Sequence, residues 1–272
     1  MNYRILIFFC CVFISCNKNG ISKKYYSNGN LKEKRYSTKN KTQFDSMIVY
    51  FEKFRNIPKS SIFLKNDSTY YQRNYFNNGN IKSDGHFVKN ENFKIGKWKF
   101  YSINGYKESV MEYLNIRDKS YLNQTWVFDK KGDTLFGNKG HFYETNVSDT
   151  LLLGKANRIH FFLKEPFFSS ESDVFVLLPK DEETLKDYFQ NENTIEWDSI
   201  ENIASRYKKV EYEDYNLNVV FDIQPIGVGE KKLRGIIMEK GQLPDDKSKY
   251  AIRKIYFDIP YYVIGNDGNG TE

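Results

Sequence analysis

Four glycine-centred turns limit what the first half of this chain can fold into. They are Tyr26-Ser27-Asn28-Gly29-Asn30-Leu31, Phe76-Asn77-Asn78-Gly79-Asn80-Ile81, Tyr101-Ser102-Ile103-Asn104-Gly105-Tyr106 and Phe128-Asp129-Lys130-Lys131-Gly132-Asp133-Thr134-Leu135. Successive glycines are 50, 26 and 27 residues apart. A period in the twenties is one strand–turn–strand unit, and such units stack because none can bury its apolar face alone. Fifty is about twice that period, so a degenerate unit is expected between Gly29 and Gly79. Asn and Gly tolerate the positive φ of a tight hairpin turn. Taking Asn28-Gly29 as the two central turn residues sets Tyr26 opposite Leu31 and Phe76 opposite Ile81. The last two copies have one more residue between aromatic and glycine, so longer loops are expected there.

The strands beside the turns alternate polar with aromatic, as half-buried strands do: Gly96-Lys97-Trp98-Lys99-Phe100 and Thr125-Trp126-Val127-Phe128. Trp98 and Phe100 share one face of the hairpin, while Tyr101 and Tyr106 point to the other. One face is core; the other either stacks on sugar rings or a peptide, or is a solvent-facing tyrosine ladder. The candidate ligand contacts are therefore Trp98, Tyr101, Tyr106 and Trp126. Gly96, Trp98, Tyr101, Asn104 and Gly105 resemble the MORN-variant repeat of the YwqK-type antitoxin family, over roughly 120 residues. That resemblance implies a flat or curled array of β-hairpins over 23–147.

Between the first two turns, Phe44, Met47, Ile48, Phe51 and Phe54 have the spacing of one helix face and Pro58 follows, which predicts a short helix near 43–55. After Tyr143 the repeat spacing stops. Apolar runs at 151–153, 158–163, 174–178, 208–212, 216–223, 231–239 and 252–263 predict an antiparallel β-sandwich over 148–264. Phe221–Gly235 reads as a hairpin, and with the long final strand it looks like an immunoglobulin-like domain. Asp181-Glu182-Glu183 followed by Leu185, Tyr188 and Phe189 suggests a short connecting helix. Residues 265–272 read as a disordered tail.

The N-terminus reads as an address. Arg4 precedes an apolar run, Ile5–Ile14, too short to span a bilayer but fitting a secretory signal. Phe13-Ile14-Ser15-Cys16 resembles the lipobox of bacterial lipoproteins, with Phe13 where Leu is usual. The resemblance implies a signal peptide at 1–15, lipidation of Cys16 and a tether at 16–22; the plainer alternative is an ordinary cleaved signal with a chance cysteine. Acyl chains contribute about 0.8 kcal/mol per buried CH₂, so a lipidated cysteine holds a protein on a membrane without a transmembrane helix. The periplasmic face of an outer membrane is the expected location.

Nothing in the sequence points to catalysis. All three cysteines lie in the first sixteen residues, so the rest of the chain has no disulfide, zinc-cysteine cluster or thiol nucleophile. His86, His141 and His160 stand apart, without metal-ligand spacing. HExxH, the G-x-S-x-G elbow and the P-loop are absent. The carboxylates at 181–183 and 211–214 lack an orienting partner and read as solvated. The net charge of +6 is spread along the chain, unlike a nucleic-acid surface. The expectation is a mainly β, lipid-anchored envelope protein without a cofactor, in which a hairpin array and an immunoglobulin-like sandwich bind or scaffold a protein. The alternative is a glycan- or peptidoglycan-binding lipoprotein using the exposed aromatics of the repeats.

Overall fold

The computed structural model describes residues 20–265 except 38–43, 55, 90, 92, 138, 170, 181–183, 207–214 and 244. The first half is one antiparallel sheet whose nine strands lie in space in chain order. They are β1 (Gly20–Tyr25), β2 (Leu31–Ser37), β3 (Ser46–Tyr50), β4 (Pro58–Leu64), β5 (Thr69–Tyr75), β6 (Ile81–Val88), β7 (Lys94–Tyr101), β8 (Lys107–Ile116) and β9 (Lys119–Val127). This is the hairpin array that the turn spacing predicts.

All four glycine turns share one geometry. The N–H of Tyr26, Phe76, Ser102 and Asp129 donates to the carbonyl four residues on at 2.8–2.9 Å, and the glycine three residues on donates back at 2.9–3.1 Å. The glycines sit at φ +80°, +88°, +87° and +94°. These are three-residue loops, in which a left-handed glycine absorbs the third residue as a bulge. The expected two-residue register and the longer later loops are thereby corrected. The pairs beside the turns are Tyr25 with Leu31, Tyr75 with Ile81 and Tyr101 with Lys107.

The degenerate unit is the β3–β4 hairpin, where Phe51 donates to the Ile57 carbonyl and Asn56 takes a left-handed conformation at φ +64°. The helix expected near 43–55 is therefore wrong. Ser46–Tyr50 is a strand, hydrogen-bonded on one side to β2 and on the other to β4. Helical spacing puts Met47 and Ile48 on one stripe, but the strand sends them to opposite faces. A segment this short cannot overcome helix nucleation alone, whereas two neighbouring strands satisfy its backbone immediately.

Residues directly opposite across an antiparallel pair share a face. One face gathers Tyr70, Phe87 and Trp98, with Phe44, Ile62, Leu64, Phe100 and Tyr113 packed against them. Phe44 stacks on Tyr70 at 5.1 Å, and Tyr70 on Phe87 at 5.4 Å. Lys94 lies across this cluster, its Nζ 4.8–5.1 Å from the ring centres of Trp98, Phe100 and Tyr113. Its methylene stem covers apolar surface while its ammonium meets the π faces.

The second half is a two-sheet sandwich. Its strands are β10 (Phe142–Thr145), β11 (Thr150–Leu152), β12 (Asn157–Glu165), β13 (Asp173–Pro179), β14 (Trp197–Glu201), β15 (Asn218–Ile223), β16 (Gly229–Leu243) and β17 (Asp246–Ile264). One sheet runs β10-β12-β15, the other β11-β17-β16-β13-β14. In chain order these neighbours match the A-B-E and G-F-C-C′ strands of a variable-type immunoglobulin sandwich. With no cysteine to bridge the sheets, the core is hydrocarbon. Ile159, Phe161 and Leu163 of β12 meet Val174 and Val176 of β13, Ile237 of β16 and Ile255 and Phe257 of β17. Each such side chain contributes about 1.5–3 kcal/mol by leaving water.

Three further expectations need adjustment. The sandwich starts at Phe142 rather than 148, because β10 already belongs to it. Phe221–Gly235 is not a hairpin, since β15 and β16 lie in different sheets and Pro225–Val228 crosses between them. Asp187–Phe189 is a 3-10 turn with Tyr188 and Phe189 at positive φ, not a helix, although Leu185 and Phe189 are buried. The acids at 181–183, the expected strand at 208–212 and the 266–272 part of the tail lie outside the described residues.

Trp98 fits because Gly85 opposes it: a Cβ at Gly85 would fall inside contact distance of the indole ring. Gly85→Ala should therefore destabilise the hairpin array by about 1–3 kcal/mol through overpacking. Urea unfolding followed by tryptophan fluorescence measures it, and an unchanged midpoint would contradict the close approach.

Candidate functional site

The opposite face of the nine-stranded sheet has two parts. At the β8–β9 end, Leu114, Ile116 and Tyr121 pack on Leu185, Phe189, Ile236, Met238 and Tyr256 of the sandwich unit. Polar bonds fix that junction. Asn123 donates to the Tyr256 carbonyl at 2.9 Å and accepts from the Tyr256 N–H at 2.8 Å, and the Tyr121 hydroxyl donates to the Lys254 carbonyl at 2.6 Å. Thr125 and His141 exchange backbone hydrogen bonds alongside.

From β4 to β7 the same face carries two rows that make no part of that junction. Phe63, Tyr71 and His86 stand in one register; Ser61, Arg73, Asp84 and Lys99 stand in the next. Tyr71 and His86 have ring centres 5.2 Å apart, and the Arg73 guanidinium lies 5.7 Å from the Tyr71 ring. The Tyr75 hydroxyl is 3.0 Å from Ser61 Oγ, and the Tyr101 hydroxyl donates to Asp84 Oδ2 at 3.3 Å. Burial, and then the Asp84 carboxylate, raise the Tyr101 pKa, so its hydroxyl stays protonated as a donor. Phe63 remains 42% exposed. A surface of aromatic rings, a guanidinium and fixed hydroxyls has the composition of interface hot spots.

The four aromatics singled out from the sequence do not form one site. Trp98 is 2% exposed, under Lys94, and its Nε1–H donates to the His86 carbonyl at 2.7 Å. It is core and has no free ring face, which corrects its assignment as a ligand contact. Tyr101 belongs to the face just described. Tyr106 is 47% exposed at the β7–β8 turn. Trp126 packs on Phe142 of the sandwich at 5.6 Å, with Lys97 4.9 Å from its ring, and so belongs to the junction. Cys16 and the carboxylates at 211–214 lie outside the described residues.

Among the described residues, four carboxylates that went unnoticed in the sequence are buried, Asp84, Glu165, Glu192 and Glu239, and two of them anchor loops of the sandwich unit. Glu239 Oε1 accepts from the N–H groups of Phe167 and Phe168 at 2.8 and 3.0 Å and from Ser172 Oγ at 3.1 Å, and Arg253 lies 3.5 Å from Oε2. Burial raises the Glu239 pKa against the pull of those donors. Glu192 accepts from Lys254 Nζ at 2.8 Å and from the Tyr256 hydroxyl at 2.9 Å. Glu192 engages both its oxygens and Glu239 engages Oε1, while Glu239 Oε2 faces Arg253 without a hydrogen bond; as acceptors, the two tie loops to β16 and β17. The visible signal was a lone acid in the apolar run Ile236-Ile237-Met238-Glu239. Among the described residues no group of His, Asp and Glu is arranged to hold a metal ion.

His141 sits at the junction, edge-on to Phe167 at 5.5 Å, and burial with the nearby Arg253 lowers its pKa to about 4. Between its ordinary value and about 4, the unfolded chain binds the proton that the native state refuses, so stability rises with pH across that window. Acidification through it should cost the wild type about 1–3 kcal/mol more than His141→Phe. Comparing the two proteins by chemical denaturation cancels the opposite contribution of Glu239; equal slopes would show that His141 is not buried neutral.

No protein-family model matches the chain, and no curated protein matches it. Among solved structures, a marsupial T cell receptor is similar at a TM-score of 0.27 and 10% identity, covering 93% of this chain and 66% of that one. A likeness that slight bears on neither fold nor function.

Proposed function

We propose that this chain is a non-enzymatic, lipid-anchored cell-envelope protein whose hairpin array docks a protein partner. One observation carries the reading. The face of the sheet that at β8–β9 already seats an immunoglobulin-like unit continues over β4–β7 as an aromatic and charged surface, with Phe63 exposed and Tyr71, Arg73 and His86 half-buried beside it. Continuity with an existing contact between two folded units of the chain favours a second folded partner on this surface. The lipobox-like Phe13–Cys16 supplies the membrane attachment in this reading, and the sheet begins only four residues after Cys16.

Two measurements test it. Mass spectrometry of the mature protein should find Cys16 at the amino terminus, carrying acyl mass; an unmodified cysteine would remove the anchor. Full-length protein recovered from detergent-solubilised envelopes should bring down one protein in stoichiometric amount. Phe63→Ser with Arg73→Gln should lose that partner by about tenfold or more, with folding checked by the unfolding temperature. Equal recovery by wild type and variant would refute the docking face.

A further inference from the structure

The turn-bearing end of the sheet holds a groove that the protein-partner reading does not use. It lies between the β3–β4 turn, which contributes Phe54, and the β5–β6 turn, which contributes Phe76 and Asn77. Asn74, Lys59 and Lys82 also line it, and its volume is about 560 Å³. Phe54 is 41% exposed. Asn74 is fixed by Gln72, which donates to its Oδ1 at 2.7 Å, and by its own Nδ2 bond to Ser83 Oγ at 3.0 Å. Both lysines are exposed, and Lys82 Nζ lies 5.8 Å from the centre of the Phe76 ring.

Neighbouring hairpins of one sheet are two strand spacings apart, about 10 Å. A six-membered sugar ring touching an aromatic wall on each side needs about 7–8 Å between those walls, from two contacts of 3.5–4.0 Å. Hairpins at that spacing leave room between their side chains for a pyranose, and less than the roughly 10–12 Å diameter of a helix. Aromatic walls suit the C–H faces of a sugar, and an exposed amide such as Asn77 suits its hydroxyls. Two ammonium groups beside the rings call for a carboxylate. A single nucleic-acid strand would need a longer cationic track with successive stacking platforms.

We propose that this groove binds an acidic oligosaccharide, a chain containing uronate residues. The site shares only Tyr75 with the protein-docking face, and none of the residues substituted to test one reading belongs to the other, so the two readings stand or fall separately.

The test is binding of the full-length protein in detergent to immobilised polygalacturonate, with dextran and single-stranded oligo(dT) as comparisons, at near-physiological ionic strength. The wild type should bind polygalacturonate and neither comparison. Lys59→Gln with Lys82→Gln changes only exposed side chains and, with folding checked by the unfolding temperature, should weaken binding by about tenfold or more. Phe54→Ala with Phe76→Ala should do the same, with folding checked by the unfolding temperature. The Phe63→Ser, Arg73→Gln variant should bind polygalacturonate as the wild type does. Failure to bind polygalacturonate, equal binding to dextran or to oligo(dT), or undiminished binding by the lysine variant would each overturn the proposal. If Phe54→Ala with Phe76→Ala proves unstable, the lysine variant decides alone.

Discussion

Lys94 spans three aromatic rings on one face of the hairpin array, and the array depends on contacts of that kind. A sheet of nine sequential strands exposes two broad faces, and a face without a second layer must be covered by its own side chains. Here the cover comes from cations laid on rings: Lys94 over Trp98, Phe100 and Tyr113, Arg35 over Phe44, Lys82 over Phe76 and Lys107 over Phe128. Each contact contributes about 0.5–1 kcal/mol at an exposed site. The methylene stems add apolar burial, and burial in turn lowers the Lys94 pKa. The many lysines and aromatics of this sequence are thus two halves of one covering.

That arrangement sets up the function proposed above. Because the sheet is stabilised within its own layer, one face is free to seat other bodies. At β8–β9 it seats the sandwich through Leu114, Ile116 and Tyr121, with Asn123 making paired backbone bonds to Tyr256. A side-chain amide that donates and accepts with one backbone residue fixes position as well as energy, since both bonds fail together if the contact slips. The adjoining strands keep the same orientation and so offer a partner a preformed surface.

The repeat was legible because a left-handed turn position restricts residue choice. Gly29, Gly79, Gly105 and Gly132 could be counted, and their period gave hairpins. The loop length could not be read, because a two-residue and a three-residue turn both call for Asn-Gly, and only the backbone hydrogen bonds decide between them. The false helix over 43–55 has a similar cause: five apolar residues fit a stripe by spacing, while the strands on either side supplied hydrogen bonds that no local pattern reveals. Of the candidate site, Tyr101 was visible as a strand aromatic. Its neighbours Tyr71, Arg73 and His86 were not, because they belong to the preceding hairpin, β5–β6, and only the strand register brings them beside it.

The sequence alone determined the local things: where turns fall, that the chain is mainly β, that a second unit follows the repeats, and that no cysteine past the sixteenth residue can staple the fold. Each is set by residues within a few positions of one another. The tertiary structure decided which ring became core and which face stayed open. Trp98 is buried because Gly85, on the neighbouring strand, leaves a space that only pairing creates. Glu239 and Arg253 face each other because β16 and β17 pair in that register. Burial and charge contact depend on residues far apart in the chain, and that is information a linear pattern does not carry.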